Sequence, residues 1–307
     1  ADNWPEEYRG HVFTLNLHGR RINQDTLYRQ GAGYAGSHAD DFMLTRDLWF
    51  RGIDLAYGPD GGVFVLDWSD IGECHDSDGI HRTSGRIFKI THGKTKALKK
   101  DLSKLSSLDL AKLQTHTNEW HVRMARRLLQ ERAVAGGDLG QVREHLFELY
   151  SGSISTPHRL RAMWALHATG ALDEDWLLEQ SNDESEHIRV WAIKLLTDGG
   201  QVSVKVLSRF VEMADTDMAG LVQLNLASTL RLLPLAKRWP LATPLVSHKR
   251  YSADPVLPLM IWYGINPAVG EDRDRAVELL AKCQIPKIRQ FIARRLAGDP
   301  SETKGQD

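Results

Sequence analysis

Cysteine is almost missing: the 307 residues hold two, Cys74 and Cys283. Neither belongs to a C-x-x-C pair, which removes the usual signatures of zinc, a redox dithiol or haem attachment. A charge excess is missing too, since 39 Lys+Arg stand against 40 Asp+Glu for a formal net of −1. No global field draws polyanions, so nucleic acid is not expected as a partner. No apolar run approaches the roughly 18 residues that cross a membrane. The opening Ala1-Asp2-Asn3-Trp4-Pro5 has no charged-then-apolar signal pattern and no initiator Met, and it reads as the start of a processed or excised piece. Nucleophile elbow, phosphate loop and dinucleotide glycine fingerprint are all lacking. No catalytic residue can be assigned on a motif.

What remains is the composition of a soluble globular chain, 42% hydrophobic and 26% charged, long enough for two domains. The first 93 residues read as β structure. His11 to Asn16 alternates and is rich in strand-formers, and Gly19 punctuates it. Gly52 to Tyr57 runs into Gly58-Pro59-Asp60-Gly61-Gly62, where Pro presets φ and glycine supplies φ > 0, and Val63 to Trp68 follows at once. That pattern predicts a hairpin. Gly85 to Thr91 is a further strand, and four short strands suit one antiparallel propeller blade or part of a sandwich. A single blade cannot bury both of its faces alone.

Residues 94–105 are lysine-rich and read as a solvated linker. Ser106-Ser107-Leu108-Asp109 then forms a capping box that opens a helix. Over 106–298 apolar positions recur at helical spacing. Arg159-x-x-Ala162-x-x-x-Leu166 returns as Arg189-x-x-Ala192-x-x-x-Leu196, and Ala125-Arg126-Arg127-Leu128 is echoed by Ala293-Arg294-Arg295-Leu296. The spacing of such units predicts a HEAT-like α-solenoid of helix pairs, the plainer alternative being one irregular all-α domain. In it Trp120, Trp164, Trp176, Trp191 and Trp262 are expected as inter-repeat core, and Arg159, Arg161 and Arg189 as partners of acidic neighbours. His116, His121, His158, His167 and His187 are scattered without the i, i+4 pair of a helical metal site. The tail, 299–307, is expected to be disordered. The fold class is therefore α+β in a multidomain chain, and the solenoid surface is a candidate site for a protein partner.

The densest polar constellation is Asp67 to Arg82, between two strands. Asp76-x-Asp78-Gly79 suits an oxygen-seeking ion such as calcium, although the Glu that closes a full calcium-hand loop is lacking. With His81 these are the candidate metal ligands. Cys74, His75 and His81 with either Asp suit a transition metal instead. The plainer alternative is that Asp and Ser bond the loop backbone, Arg82 and Arg86 pair with nearby carboxylates, and Cys74 fills core.

Beyond single sites, Asn3-Trp4-Pro5, Tyr8-Arg9-Gly10-His11, Asn16-Leu17-His18-Gly19-Arg20, Gly33-Tyr34, Asp47-x-Trp49-Phe50-Arg51, Tyr57 to Gly61, Asp67-Trp68 and Gly72 to Asp76 through Gly85-Arg86-Ile87 together carry a resemblance. They resemble the propeller end of the planctomycete-type membrane-bound dehydrogenase family, whose members are similar to sugar and sorbosone dehydrogenases, continue into HEAT repeats and commonly end in a cytochrome c domain. The resemblance implies an exported or periplasmic parent protein, sugar or alcohol oxidation, and pyrroloquinoline quinone or calcium as cofactor. It further implies a haem domain elsewhere in the parent, because this chain has no Cys-x-x-Cys-His. Cofactor contacts would then fall to Asp67, Asp70, Glu73, His75, Arg82 and Arg86. The alternative is a non-enzymatic interaction scaffold whose β segment caps the solenoid.

Overall fold

The computed structural model describes residues 3–72, 77, 81, 83–95 and 101–298. Antiparallel β structure comes first and helices follow, so the chain is α+β. It divides into two compact units. The first comprises Ala1–Tyr28 and Ala35–Ala171, the second Arg29–Tyr34 and Leu172–Asp307. The change from strand to helix near residue 93 thus falls inside the first unit.

Apart from Arg29–Tyr34, the first unit holds β1 (His11–Asn16), β2 (Arg21–Gln30) and β3 (Gly33–His38), which lie in that order in one sheet with β4 (Met43–Leu44) also paired to β2. β5 (Gly52–Tyr57), β6 (Val63–Asp67) and β7 (Arg86–Ile90) form the other. The register pairs Leu15 with Ile22 and Leu55 with Val65, which places these side chains on the inner faces. Ile22, Phe50 and Val65 make the buried centre, with Phe13, Leu15, Phe42, Met43, Leu55 and Ile90 packed against it. The opposite face of the first sheet is polar, as the Arg21–Asp41 and His38–Asp25 pairs show. One buried face and one wet face is the usual economy of antiparallel sheets.

The hairpin turn forms as its residues dictate. Gly61 sits at φ 76°, the Gly58 N–H donates to the Gly62 carbonyl at 2.9 Å, and Asp60 accepts the Gly62 N–H at 3.1 Å. Strands β2 and β3 were not apparent as strands because their residues are mostly polar. Within β2 only Ile22 is fully buried.

Four helices complete the unit: α1 (Ser107–Lys112), α2 (Glu119–Val134), α3 (Gly140–Gly152) and α4 (Thr156–Ala168). Ser106 caps α1 by accepting the Asp109 N–H at 3.0 Å, as the capping box requires. α1 packs on α2 and α3, α2 on α4, and α3 on α4. Buried Ala125, Leu129, Leu146, Ala162 and Leu166 fill the seams. Each fully buried Leu contributes about 1.5–3 kcal/mol.

The second unit carries α5 (Glu174–Gln180), α6 (Glu186–Thr197), α7 (Val204–Thr216), α8 (Gly220–Thr229), α9 (Arg238–Ser247), α10 (Leu257–Glu271), α11 (Arg273–Lys282) and α12 (Pro286–Ala297). Contacts again run from each helix to the next or the next but one: α5 with α6 and α7, α6 with α8, α8 with α10, α10 with α12. Ala192 is fully buried, and at Gly264 the backbone of α10 comes so close to Leu230 that an added Cβ would lie 2.6 Å from the leucine Cβ. Arg238, 9% exposed, donates to the Leu233 and Gly264 carbonyls at 2.9 and 2.6 Å. Burial lowers its pKa. The expected tryptophan core is not what holds the helices together, because Trp120, Trp164, Trp176, Trp191 and Trp262 are all half-buried. Small and branched aliphatics fill the seams instead. No described helix is long and apolar enough to cross a membrane.

Candidate functional site

The loop singled out by sequence joins β6 to β7. Glu73, His75, Arg82, Asp76 and Asp78, with Cys74, lie outside the described residues. Asp67, Asp70, His81 and Arg86 lie within them. Asp67 ends β6 with no exposed side-chain surface. Its Oδ1 accepts the backbone N–H groups of Arg51 at 2.7 Å and Ser69 at 2.9 Å. Its Oδ2 takes the Arg86 fork, Nε at 2.7 Å and Nη2 at 2.6 Å. Across the ladder Asp67 pairs with Arg86, so the two strands deliver this bridge directly.

The third arm of the Arg86 guanidinium, Nη1, reaches Asp47 at 2.7 Å. The Trp49 N–H and Arg86 together hold the Asp47 carboxyl below its ordinary pKa. Burial works against the charged form of Arg86, but its bonds to Asp47 and Asp67 raise the pKa nonetheless. Neighbouring Arg51 is tied to the carbonyls of Leu48, Phe50 and Ile71 at 3.1, 3.0 and 2.9 Å.

Asp70 is also turned inward. It accepts the N–H groups of Gly72 at 3.1 Å and His81 at 3.4 Å. Burial would raise its pKa, yet these donors bring it below the ordinary value. The His81 ring rests on Trp49 with centroids 4.4 Å apart. Three hydrogen-bond donors and the Arg86 charge face the Asp67 carboxylate. Among the described residues no group of three or more His, Cys, Asp or Glu is placed to hold a metal.

A second site was not assembled from the sequence. In the first unit a cleft of about 690 Å³ opens beside the sheets, lined by both aromatic and basic groups. Its aromatic wall is one cluster: Trp4, Tyr8 and Phe13 each approach Phe42 with centroids 5.6, 5.4 and 5.2 Å away. Trp4 is anchored by an Nε1–H bond to the Gly61 carbonyl at 2.6 Å. The lining also includes Tyr57, His116, His158 and Arg161. Arg161 of α4 is paired with Glu119 of α2, and it donates to the His116 carbonyl at 3.2 Å.

His116 accepts the Asn118 N–H at Nδ1, 2.9 Å away, which leaves Nε2 as its N–H donor. Burial raises the Tyr57 pKa, with Glu119 adding to the effect. Trp4, Tyr8 and His11 were read only as parts of a family motif, and the histidines as scattered. Their convergence needs the return of α2 and α4 onto the sheets, which no local spacing encodes.

The β5–β6 turn is fastened to these helices. Asn118 accepts the Trp120 N–H and so caps α2, while its Nδ2 donates to the Gly58 and Pro59 carbonyls at 3.1 and 3.2 Å. His121 Nε2 also reaches the Pro59 carbonyl at 3.1 Å. Both side chains are largely buried.

One family profile matches the chain, described only as a domain of unknown function (DUF7133), over residues 1–94. No curated protein matches the sequence, and no solved structure matches it either.

Proposed function

We propose that this chain is a non-catalytic binding scaffold: a HEAT-like solenoid whose first helices are capped by a β segment built like the end of a propeller. The observation that carries this reading is the buried bonding of Asn118 and His121 to the β5–β6 turn. These bonds make the β segment and α1–α4 parts of one unit. The contacts from each helix to the next and the next but one support the repeat reading, since solenoid units bury their apolar faces only by stacking on neighbours.

The inward bonding of Asp67, Asp70 and Arg86 supports a structural role for that corner. The helical surface is then the part that meets a protein partner.

A second reading keeps the parent as an exported sugar or alcohol dehydrogenase, with a haem domain as electron acceptor. What favours it is that the matched domain, residues 1–94, coincides with the segment whose motifs resemble that family. Dye-linked oxidation of sugars and alcohols, with pyrroloquinoline quinone and calcium supplied, separates the two readings. The scaffold reading predicts no dye reduction above the protein-free rate. Turnover abolished by His75→Ala or His81→Ala would overturn it and return the loop to the chemistry.

A further inference from the structure

The cleft of the first unit has a chemical character that the scaffold reading does not use. Its volume, about 690 Å³, is within the roughly 300–1,000 Å³ of small-molecule sites. The rings of Trp4, Tyr8, Phe13 and Phe42 are all half-buried, so they are held in place yet still reachable. Such rings receive a flat or pyranose ring by stacking.

At the other side the lining holds Arg161, His116 and His158 and, among the described residues, no carboxylate, although Glu119 beside it is paired with Arg161. Tyr57 of the cleft is within electrostatic reach of Glu119, Arg123 and Arg161. Arg126 feels the same three groups, and burial lowers its pKa. Arg123, Arg126 and Arg161 thus all feel Glu119 or one another, and of the three Arg161 lines the cleft. α4, which supplies His158 and Arg161 to the lining, contains no acidic residue in Thr156–Ala168. Arg126 stacks on Trp164 at 5.2 Å, and its Nη1 is buried without a hydrogen-bond partner. An anion arriving in this field would be bound by charge-assisted hydrogen bonds, for which guanidinium is the preferred donor.

We infer that this cleft binds a small organic acid whose carboxylate is carried on a ring, the ring lying against Trp4, Tyr8 and Phe42 and the carboxylate facing Arg161, His158 and the His116 Nε2–H. An aromatic acid and a sugar acid share that chemistry, and the probes separate them. Calorimetric titration of the full chain with 4-hydroxybenzoate and with D-glucuronate should show binding by at least one. The neutral counterparts, 4-hydroxybenzyl alcohol and D-glucose, and inorganic phosphate should each bind about tenfold more weakly or worse, the loss expected for one charge-assisted bond or one stacked ring.

His158→Gln and Arg161→Gln should each weaken the acid by about tenfold without changing the affinity for the neutral probe. If Arg161→Gln fails to fold because Glu119 loses its partner, His158→Gln decides. The inference is overturned if neither acid binds at millimolar concentration, if the neutral probes or phosphate bind equally well, or if both folded variants bind the acid as the parent does.

Discussion

At the scale of the residue, Asp67 shows how a side chain that looks like a ligand can be a keystone instead. It has no exposed side-chain surface and receives two backbone N–H groups and the Arg86 fork. Replacing Oδ2 with an amide sets donor against donor at Arg86. Asp67→Asn should therefore cost about 3 kcal/mol, the loss typical of removing one member of a buried pair. Urea denaturation of the two proteins measures it.

The neighbouring carboxylates add a pH dependence. Asp47 is lowered by the Trp49 N–H and Arg86, and Asp60 by Lys89. A carboxylate with a depressed folded pKa binds fewer protons than its unfolded counterpart, so its stabilisation is present above about pH 4 and fades as pH falls through the folded value. Melting temperature measured from pH 7 downward should stay flat with respect to these groups until about pH 4 and then drop. In Lys89→Met that acid-side drop should be smaller, because Asp60 loses the partner that depresses it.

At the scale of the element, the seams between helices set what each position tolerates. Ordinarily Gly→Ala inside a helix gains up to about 1 kcal/mol. At Gly264 the added Cβ would stand 2.6 Å from the Leu230 Cβ and 2.9 Å from its Cδ1. Gly264→Ala should therefore destabilise the chain by about 1–3 kcal/mol, the usual cost of overpacking, as thermal unfolding would show. An increase in stability would mean that this helix contact is looser than described.

The same scale explains what the sequence disclosed. β5, β6 and the turn between them were legible because Gly-Pro-Asp-Gly-Gly and the flanking strand-formers state their conformation locally. The Arg/Ala/Leu repeat marked α4 and α6, and Ala162 and Ala192 are indeed fully buried. β2 and β3 were hidden because a strand with one wet face need not be apolar along its length. The tryptophans misled for a related reason. An indole with a polar edge sits well at a half-buried rim, while close helix contact selects Ala, Gly and Leu.

At the scale of the whole molecule, local pattern separates strand from helix near residue 93, but compactness does not follow that line. The β segment shares a unit with α1–α4. What joins them is a set of side chain to backbone bonds more than fifty residues apart in sequence, Asn118 with Gly58 and Pro59 and His121 with Pro59. The cleft is a product of the same closure, since its lining runs from Trp4 to Arg161. Neither could be read from spacing, because each depends on where distant elements return.

The joint itself is the claim most worth testing, and Asn118→Ala tests it. The substitution removes the α2 cap and the two Asn118 bonds to the Gly58 and Pro59 carbonyls, a loss of about 2 kcal/mol. Hydrogen exchange followed by mass spectrometry should show β5, β6 and α2 losing protection together in Asn118→Ala relative to the parent. Faster exchange confined to the strands, with α1–α4 as protected as before, would contradict a shared unit and return the β segment to the status of an independent domain.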